Sequence, residues 1–171
     1  GLTLFSIYKN ELFKKNEDRI NNDFITGLPD THPRGEEITK LSEGWDIKIS
    51  WDWTTFPYKG EDLDKNYYWQ NMGYMWLTGA AKWTTVYCLL NSSADEINRL
   101  KRLAYYDFGQ DEANVEYIEK CCQIERNNIY DMEQFITDNP HFDHHIPEWK
   151  FDIPLNERVM EFTVERDEAS I

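Results

Sequence analysis

The chain has 171 residues, 40% hydrophobic and 15% aromatic with seven Trp, which suits one folded domain burying about two-thirds of its unfolded surface and excludes a disordered chain. No apolar run approaches the roughly 20 residues of a membrane span, no signal peptide opens the chain, and three cysteines, two of them neighbours, make no disulfide framework, so a reducing cytoplasmic location is expected. The net charge of −14 weighs against a surface that grips long duplex DNA unaided, because cations on phosphates supply most non-specific affinity, although metal ions offset carboxylates locally.

In chain order, residues 4–19 begin as a helix with Leu4, Phe5, Tyr8 and Leu12 on one face. Residues 21–27 read as a strand, with Gly27-Leu28-Pro29-Asp30 as the turn that ends it. Residues 31–43 look like a hairpin loop containing His32-Pro33-Arg34-Gly35, with a short strand over 38–41. Residues 44–50 form the central strand. Its alternation sends Trp45, Ile47 and Ile49 to one face and Asp46 and Lys48 to the other. Taken alone, that acid and amine read as an ordinary ion pair before they read as a catalytic site. The aromatic loop that follows, with Trp51 and Trp53, is either a surface loop tucked onto the core or a wall on which nucleic-acid bases stack.

Acidic residues 61–64 open a helix that runs to about Leu77 and stops at Gly79, placing Gln70 and Tyr74 four apart on one face. Residues 83–90 are an apolar, β-branched strand without alternation, as expected when both faces are buried. Ser93 and Glu96 make a capping box for a helix carrying Ile97, Leu100, Leu103 and Ala104. Residues 111–138 are helical with a break near Asn127-Asn128, and Cys121 and Cys122 lie on the apolar side as packing residues. His141, His144 and His145 sit in a loop between Pro140 and Pro147 and read as polar loop residues ahead of a zinc site. Residues 158–166 alternate as a half-buried strand at a sheet edge. Strand, turn, strand, helix, strand defines an α/β core with a mixed β-sheet flanked by helices.

Three of these stretches coincide in order and spacing. Gly27, Pro29 and Asp30 match G-x-P-D, Asp46 and Lys48 match D/E-x-K, and Gln70 and Tyr74 match Q-x-x-x-Y. Together they resemble the PD-(D/E)XK nuclease superfamily, in particular its RecB-like branch and the phage recombination exonucleases of the YqaJ and lambda exonuclease type. The resemblance covers most of residues 20–92 and, more loosely, Arg158 to Phe162. It implies a restriction-endonuclease-like core over about 20–92, with helices and a C-terminal strand added over 93–171, in a single nuclease-like domain spanning 1–171.

The same resemblance implies a metal-dependent deoxyribonuclease that hydrolyses phosphodiester bonds, as an exonuclease before an endonuclease. Asp30, Asp46 and the carbonyl of Ile47 would hold Mg²⁺, with Mn²⁺ as substitute, and Lys48 would orient the attacking water beside Gln70 and Tyr74. Trp51 and Trp53 would touch nucleic acid. The implied partners are DNA, a single-strand annealing protein and further copies of the chain, in a bacterial or phage-infected cell. One element departs from the pattern. The family's first helix carries a metal-binding Glu, often in G-x-x-x-E, and counting from Gly1 puts Phe5 in that slot, with Glu11 the nearest acid. Either that Glu is absent or the chain begins after it. The alternative function is a nuclease fold that has lost cleavage and serves as a binding or regulatory module.

Overall fold

The computed structural model describes residues 1–57, 62–146 and 152–167. The elements in order are α1 (Leu2–Lys9), β1 (Ile20–Asn21), β2 (Thr26–Gly27), β3 (Glu43–Ser50), α2 (Lys65–Thr78), β4 (Lys82–Leu89), α3 (Ala94–Asp107), α4 (Val115–Asn128), α5 (Met132–Asp138) and β5 (Val159–Glu165). They gather into two compact units, one of Gly1–Ile49, Pro57–Cys88 and Leu155–Ile171, the other of Ser50–Phe56 and Leu89–Pro154.

The first unit is built on the sheet β3-β4-β5. β3 and β4 advance in the same direction, as the bonds from Ala81 N–H to the Ser42 carbonyl and from Leu90 N–H to the Ser50 carbonyl require. Parallel neighbours need a crossover, and α2 supplies it. β5 returns antiparallel along β4, from Lys82 opposite Glu165 to Cys88 opposite Val159. The sheet is therefore mixed, with β5 at its edge, as the alternation in 158–166 predicts. The strand expected at the centre, residues 44–50, instead lies beside it as β3: β4 is the apolar centre strand of these three, with Trp83, Val86 and Cys88 fully buried.

Local signals set α2. Asp64 caps its first turn by accepting the Asn66 N–H, and Gly79 ends it at φ 76° in the left-handed region. Its rotation about its own axis is fixed by a buried polar pair. Asn71 donates to the Thr85 hydroxyl at 3.0 Å and accepts from it at 3.2 Å. Because both groups are satisfied inside the core, the pair specifies one docking of helix on strand.

Three expectations need correction here. The first helix ends at Lys9, short of the Leu12 expected on its face, because Asn10 turns left-handed at φ 52° and Phe13 folds back, its N–H bonded to the Ser6 hydroxyl at 3.2 Å. Residues 21–27 are not one strand of the main sheet. β1 and β2 pair antiparallel as a separate two-stranded ribbon, Ile20 opposite Gly27. The reason is Asn22, whose side-chain oxygen accepts both the Phe24 and Ile25 N–H groups at 2.9 Å and folds an Asx turn into the run. Residues 38–41 form no strand either; Leu41 is buried and donates to the Thr78 carbonyl.

The second unit contains α3, α4 and α5, packed through Ile97, Tyr117, Cys121, Ile129 and Phe135. Ser93 accepts the Glu96 N–H as an N-cap, while the Glu96 carboxylate pairs with Arg99 instead of closing the box, and the break between α4 and α5 falls after Asn128. The loop with His141, His144 and His145 is fastened to a fully buried carboxylate. Glu125 pairs with Lys101 Nζ at 2.5 Å and accepts the His145 N–H at 2.8 Å and the Ile146 N–H at 3.3 Å. Lys101 also donates to the Asp143 carbonyl at 2.8 Å. The histidine rings stand at Glu125, Nδ1 of His145 at 3.5 Å and Nδ1 of His144 at 3.9 Å. Among the described residues, no three His, Cys, Asp or Glu side chains are grouped to hold a metal. The loop is a lid on an ion pair.

Two substitutions test this packing. An alanine methyl at Gly44 would lie 2.3 Å from the Trp83 ring, so Gly44→Ala is expected to cost about 2–3 kcal/mol in urea unfolding. Lys101→Met strands the Glu125 carboxylate in the core and is expected to cost about 3–5 kcal/mol.

Candidate active site

The site assembles at β3. Asp46 is only 2% exposed, on the strand face opposite Trp45. Its partner acid arrives on the turn before β3. Asn16 holds that turn from behind, its backbone N–H donating to the Asp30 carbonyl at 2.8 Å and its side chain to the Pro29 carbonyl at 2.9 Å. The bridge between Thr31 and Trp45 then lays the turn along the strand. Asp30 Oδ2 accepts the Ile47 N–H at 2.7 Å as a result.

A continuous polar chain leads away from Asp46. Lys48 Nζ lies 2.5 Å from Asp46 Oδ2 and donates to Gln70 Oε1 at 3.3 Å. Gln70 Nε2 donates to the Tyr74 hydroxyl at 3.0 Å, and that hydroxyl donates to the Leu28 carbonyl at 3.3 Å. The chain thus returns to the turn that carries Asp30. Gly27 makes this closure feasible, since a methyl there would sit 2.9 Å from the Tyr74 ring. All of Asp30, Asp46, Ile47, Lys48, Gln70 and Tyr74 are brought together within the first unit.

The electrostatics follow from the burial. Burial pushes the Asp46 carboxyl above its ordinary value; Lys48 pulls it back, and the neighbouring Asp30 adds to the upward push. Burial also raises the Tyr74 phenol, with the Asp46 and Asp30 charges adding to it. Tyr74 therefore remains a neutral hydrogen-bonding group at neutral pH.

Two carboxylates and the Ile47 carbonyl are hard oxygen donors. Such a set suits a small divalent cation that keeps several of its waters, and a cation there would offset the mutual repulsion that raises Asp46. No third acid joins them among the described residues. Phe5 is fully buried, stacked on Phe13 at 4.9 Å and tilted against Trp45 at 6.2 Å. A carboxylate at that position would be enclosed by aromatic rings. Glu11 is exposed and lies beyond the end of α1.

One contributor was not singled out in the sequence. Lys48 Nζ sits 4.6 Å from the centre of the Tyr67 ring, a cation–π contact that holds the ammonium toward Gln70. Its signal was present: Tyr67 precedes Gln70 by three residues and so shares its helix face. Trp51 and Trp53 belong to the second unit, where they are 51% and 43% exposed on the loop after β3.

The fold matches that of a solved structure, a phage-related exonuclease from Haemophilus somnus 129PT, at a TM-score of 0.60. The match covers 98% of this chain and 57% of that one, at 20% sequence identity. What is shared at that identity is the architecture, a mixed α/β sheet with flanking helices. No family model and no curated protein matches the chain.

The raised Asp46 carboxyl has a consequence for stability. The folded state keeps the proton more tightly than the unfolded chain, whose aspartate titrates near 3.8. Its contribution is present below that pH and lost as pH rises through the higher folded value. Wild-type stability relative to Asp46→Asn is therefore expected to fall across that interval and to level off above it, measured by urea unfolding at a series of pH values.

Proposed function

We propose that this chain is a divalent-metal-dependent deoxyribonuclease of the PD-(D/E)XK type, an exonuclease before an endonuclease. The observation that carries this reading is the polar chain from Asp46 through Lys48 and Gln70 to Tyr74, closed against the turn bearing Asp30. The likeness to the fold of a phage-related exonuclease supports it. The three sequence motifs supply the residue types that phosphodiester hydrolysis needs in one place.

In this reading Asp30, Asp46 and the Ile47 carbonyl hold Mg²⁺ or Mn²⁺. An ion held by these residues would supply polarisation of the phosphate and a more acidic water. The residues then divide the remaining work. The Lys48 ammonium, fixed between Asp46 and the Tyr67 ring, faces the growing negative charge on the phosphate oxygens. The Gln70 carbonyl accepts a hydrogen bond from the attacking water, and Tyr74 holds Gln70 in register. Water oxygen bonds to phosphorus, the bond to the leaving oxygen breaks, the water gives up one proton and the leaving oxygen takes one. DNA is the proposed substrate, with a single-strand annealing protein and further copies of the chain as proposed partners.

One observation favours a second reading, a nuclease fold retained as a binding or regulatory module. The site has two carboxylates, and the α1 position that would supply a third is a buried Phe5. End-labelled duplex DNA incubated with the protein separates the two. The first reading expects cleavage that needs millimolar-range Mg²⁺, runs better with Mn²⁺, and drops roughly 100- to 1,000-fold in Lys48→Ala. Asp46→Asn is expected to abolish cleavage and the rise in melting temperature that Mn²⁺ gives the wild type. Metal-induced stabilisation without cleavage would favour the module; cleavage in chelator would contradict the metal site.

A further inference from the structure

Within the second unit, α3, α4 and the loop Ser50–Phe56 enclose an open groove of about 860 Å³. Its apolar lining comes from Trp51, Trp53, Leu100, Leu103 and Ile124. Leu103 is 50% exposed and the two tryptophans are comparably so. A leucine and two indoles left to water in one groove are the mark of a surface that is covered in use.

The groove is preformed. The Tyr130 hydroxyl accepts the Trp53 N–H at 3.1 Å and donates to the Trp51 carbonyl at 3.2 Å. Ser92 ties the other side, donating to Asn128 Oδ1 at 2.8 Å while its N–H bonds the Asn128 carbonyl at 2.8 Å. The aromatic loop is thereby fastened to the end of α4, so an occupant does not have to order it.

Charge selects among occupants. The lining includes three acids, Asp52, Asp107 and Glu96, the last paired with Arg99, and one cation, Lys120, which is already donating to Gln123. The unit as a whole has 15 Asp and Glu against six Lys and Arg, a net −9 of the chain's −14. A phosphate backbone would meet those carboxylates with a single ammonium to oppose them. A second copy would bring the same acidic face. A cationic occupant with an apolar stripe meets both features.

We infer that this groove binds an amphipathic helix of a partner protein, with an apolar stripe at i, i+3, i+4 and i+7 seated on Leu103, Trp51 and Trp53 and with Lys and Arg flanking it. The two walls favour a helix: α3 and α4 have 14 residues each, about 21 Å, or nearly four turns, along which a third helix lies as in helix-in-groove recognition. The acids flanking the stripe choose a basic helix and reject an acidic one. This binding is independent of the proposed cleavage, since every residue it uses lies in the second unit.

The test uses the full chain and labelled synthetic helical peptides of about 18 residues in fluorescence anisotropy. The probes are a Leu/Arg amphipathic peptide, its scrambled non-amphipathic isomer, a Leu/Glu counterpart, and an oligothymidylate. The Leu/Arg peptide is expected to bind, and the scrambled and Leu/Glu peptides at least tenfold more weakly. Leu103→Glu and Asp107→Lys, both at exposed positions, are each expected to weaken binding at least tenfold with an unchanged melting temperature. Asp107→Lys should also gain affinity for the Leu/Glu peptide. Equal binding of the scrambled peptide, or undiminished binding by both variants, would overturn the inference. Oligothymidylate binding that is lost in Trp53→Ala would overturn it in favour of nucleic acid.

Discussion

The first unit depends on how one carboxylate is kept inside it. Asp46 is out of water with a single ammonium against it and a second carboxylate beside it. Leaving a charge in that state is costly, and the surrounding elements are arranged to maintain it. Asn16 anchors the turn that presents Asp30, Asn71 and Thr85 fix the face of α2 that presents Gln70, and Gly27 lets Tyr74 close the circuit. Each of these is a local commitment whose purpose is visible only at the site.

The second unit contains an instructive contrast. Glu125 is buried more completely than Asp46 and also has an ammonium at 2.5 Å. Its two oxygens receive two backbone N–H groups as well, and the loop that supplies them closes over it. That carboxylate is satisfied by protein atoms and acts as a fastening. Asp46 has a like charge where Glu125 has donors. In the proposed reading that pair is where a cation would be held, whereas a saturated carboxylate has no capacity left for a ligand.

The features legible in the sequence were those fixed by nearest neighbours and by period. β3 and β4 appeared at their places because alternation and apolar continuity report burial directly, and the ends of α2 and α3 followed from Gly79 and the Ser93 N-cap. The residues proposed for the site could be named from sequence because each motif sits on such an element or on the turn beside it. What escaped was tertiary. Residues 21–27 carry a strand-like composition, but the side chain of Asn22 competes for backbone donors and bends them into a ribbon. The first helix still ended at Lys9, where Asn10 turns left-handed and Phe13 returns to stack on Phe5. The histidine loop read as an ordinary polar loop, and its fastening was hidden. Nothing in its own residues announced Glu125, twenty positions upstream in the chain.

The central claim is that Asp30 and Asp46 act as one coupled pair. Carboxyl ¹³C shifts of the two aspartates, followed by NMR as a function of pH in metal-free protein, address it directly. Asp46 is expected to titrate above the ordinary aspartate range, to move down toward it in Asp30→Asn, and to shift when Mg²⁺ is added. An Asp46 titration at the ordinary value, untouched by Asp30→Asn and by Mg²⁺, would contradict it.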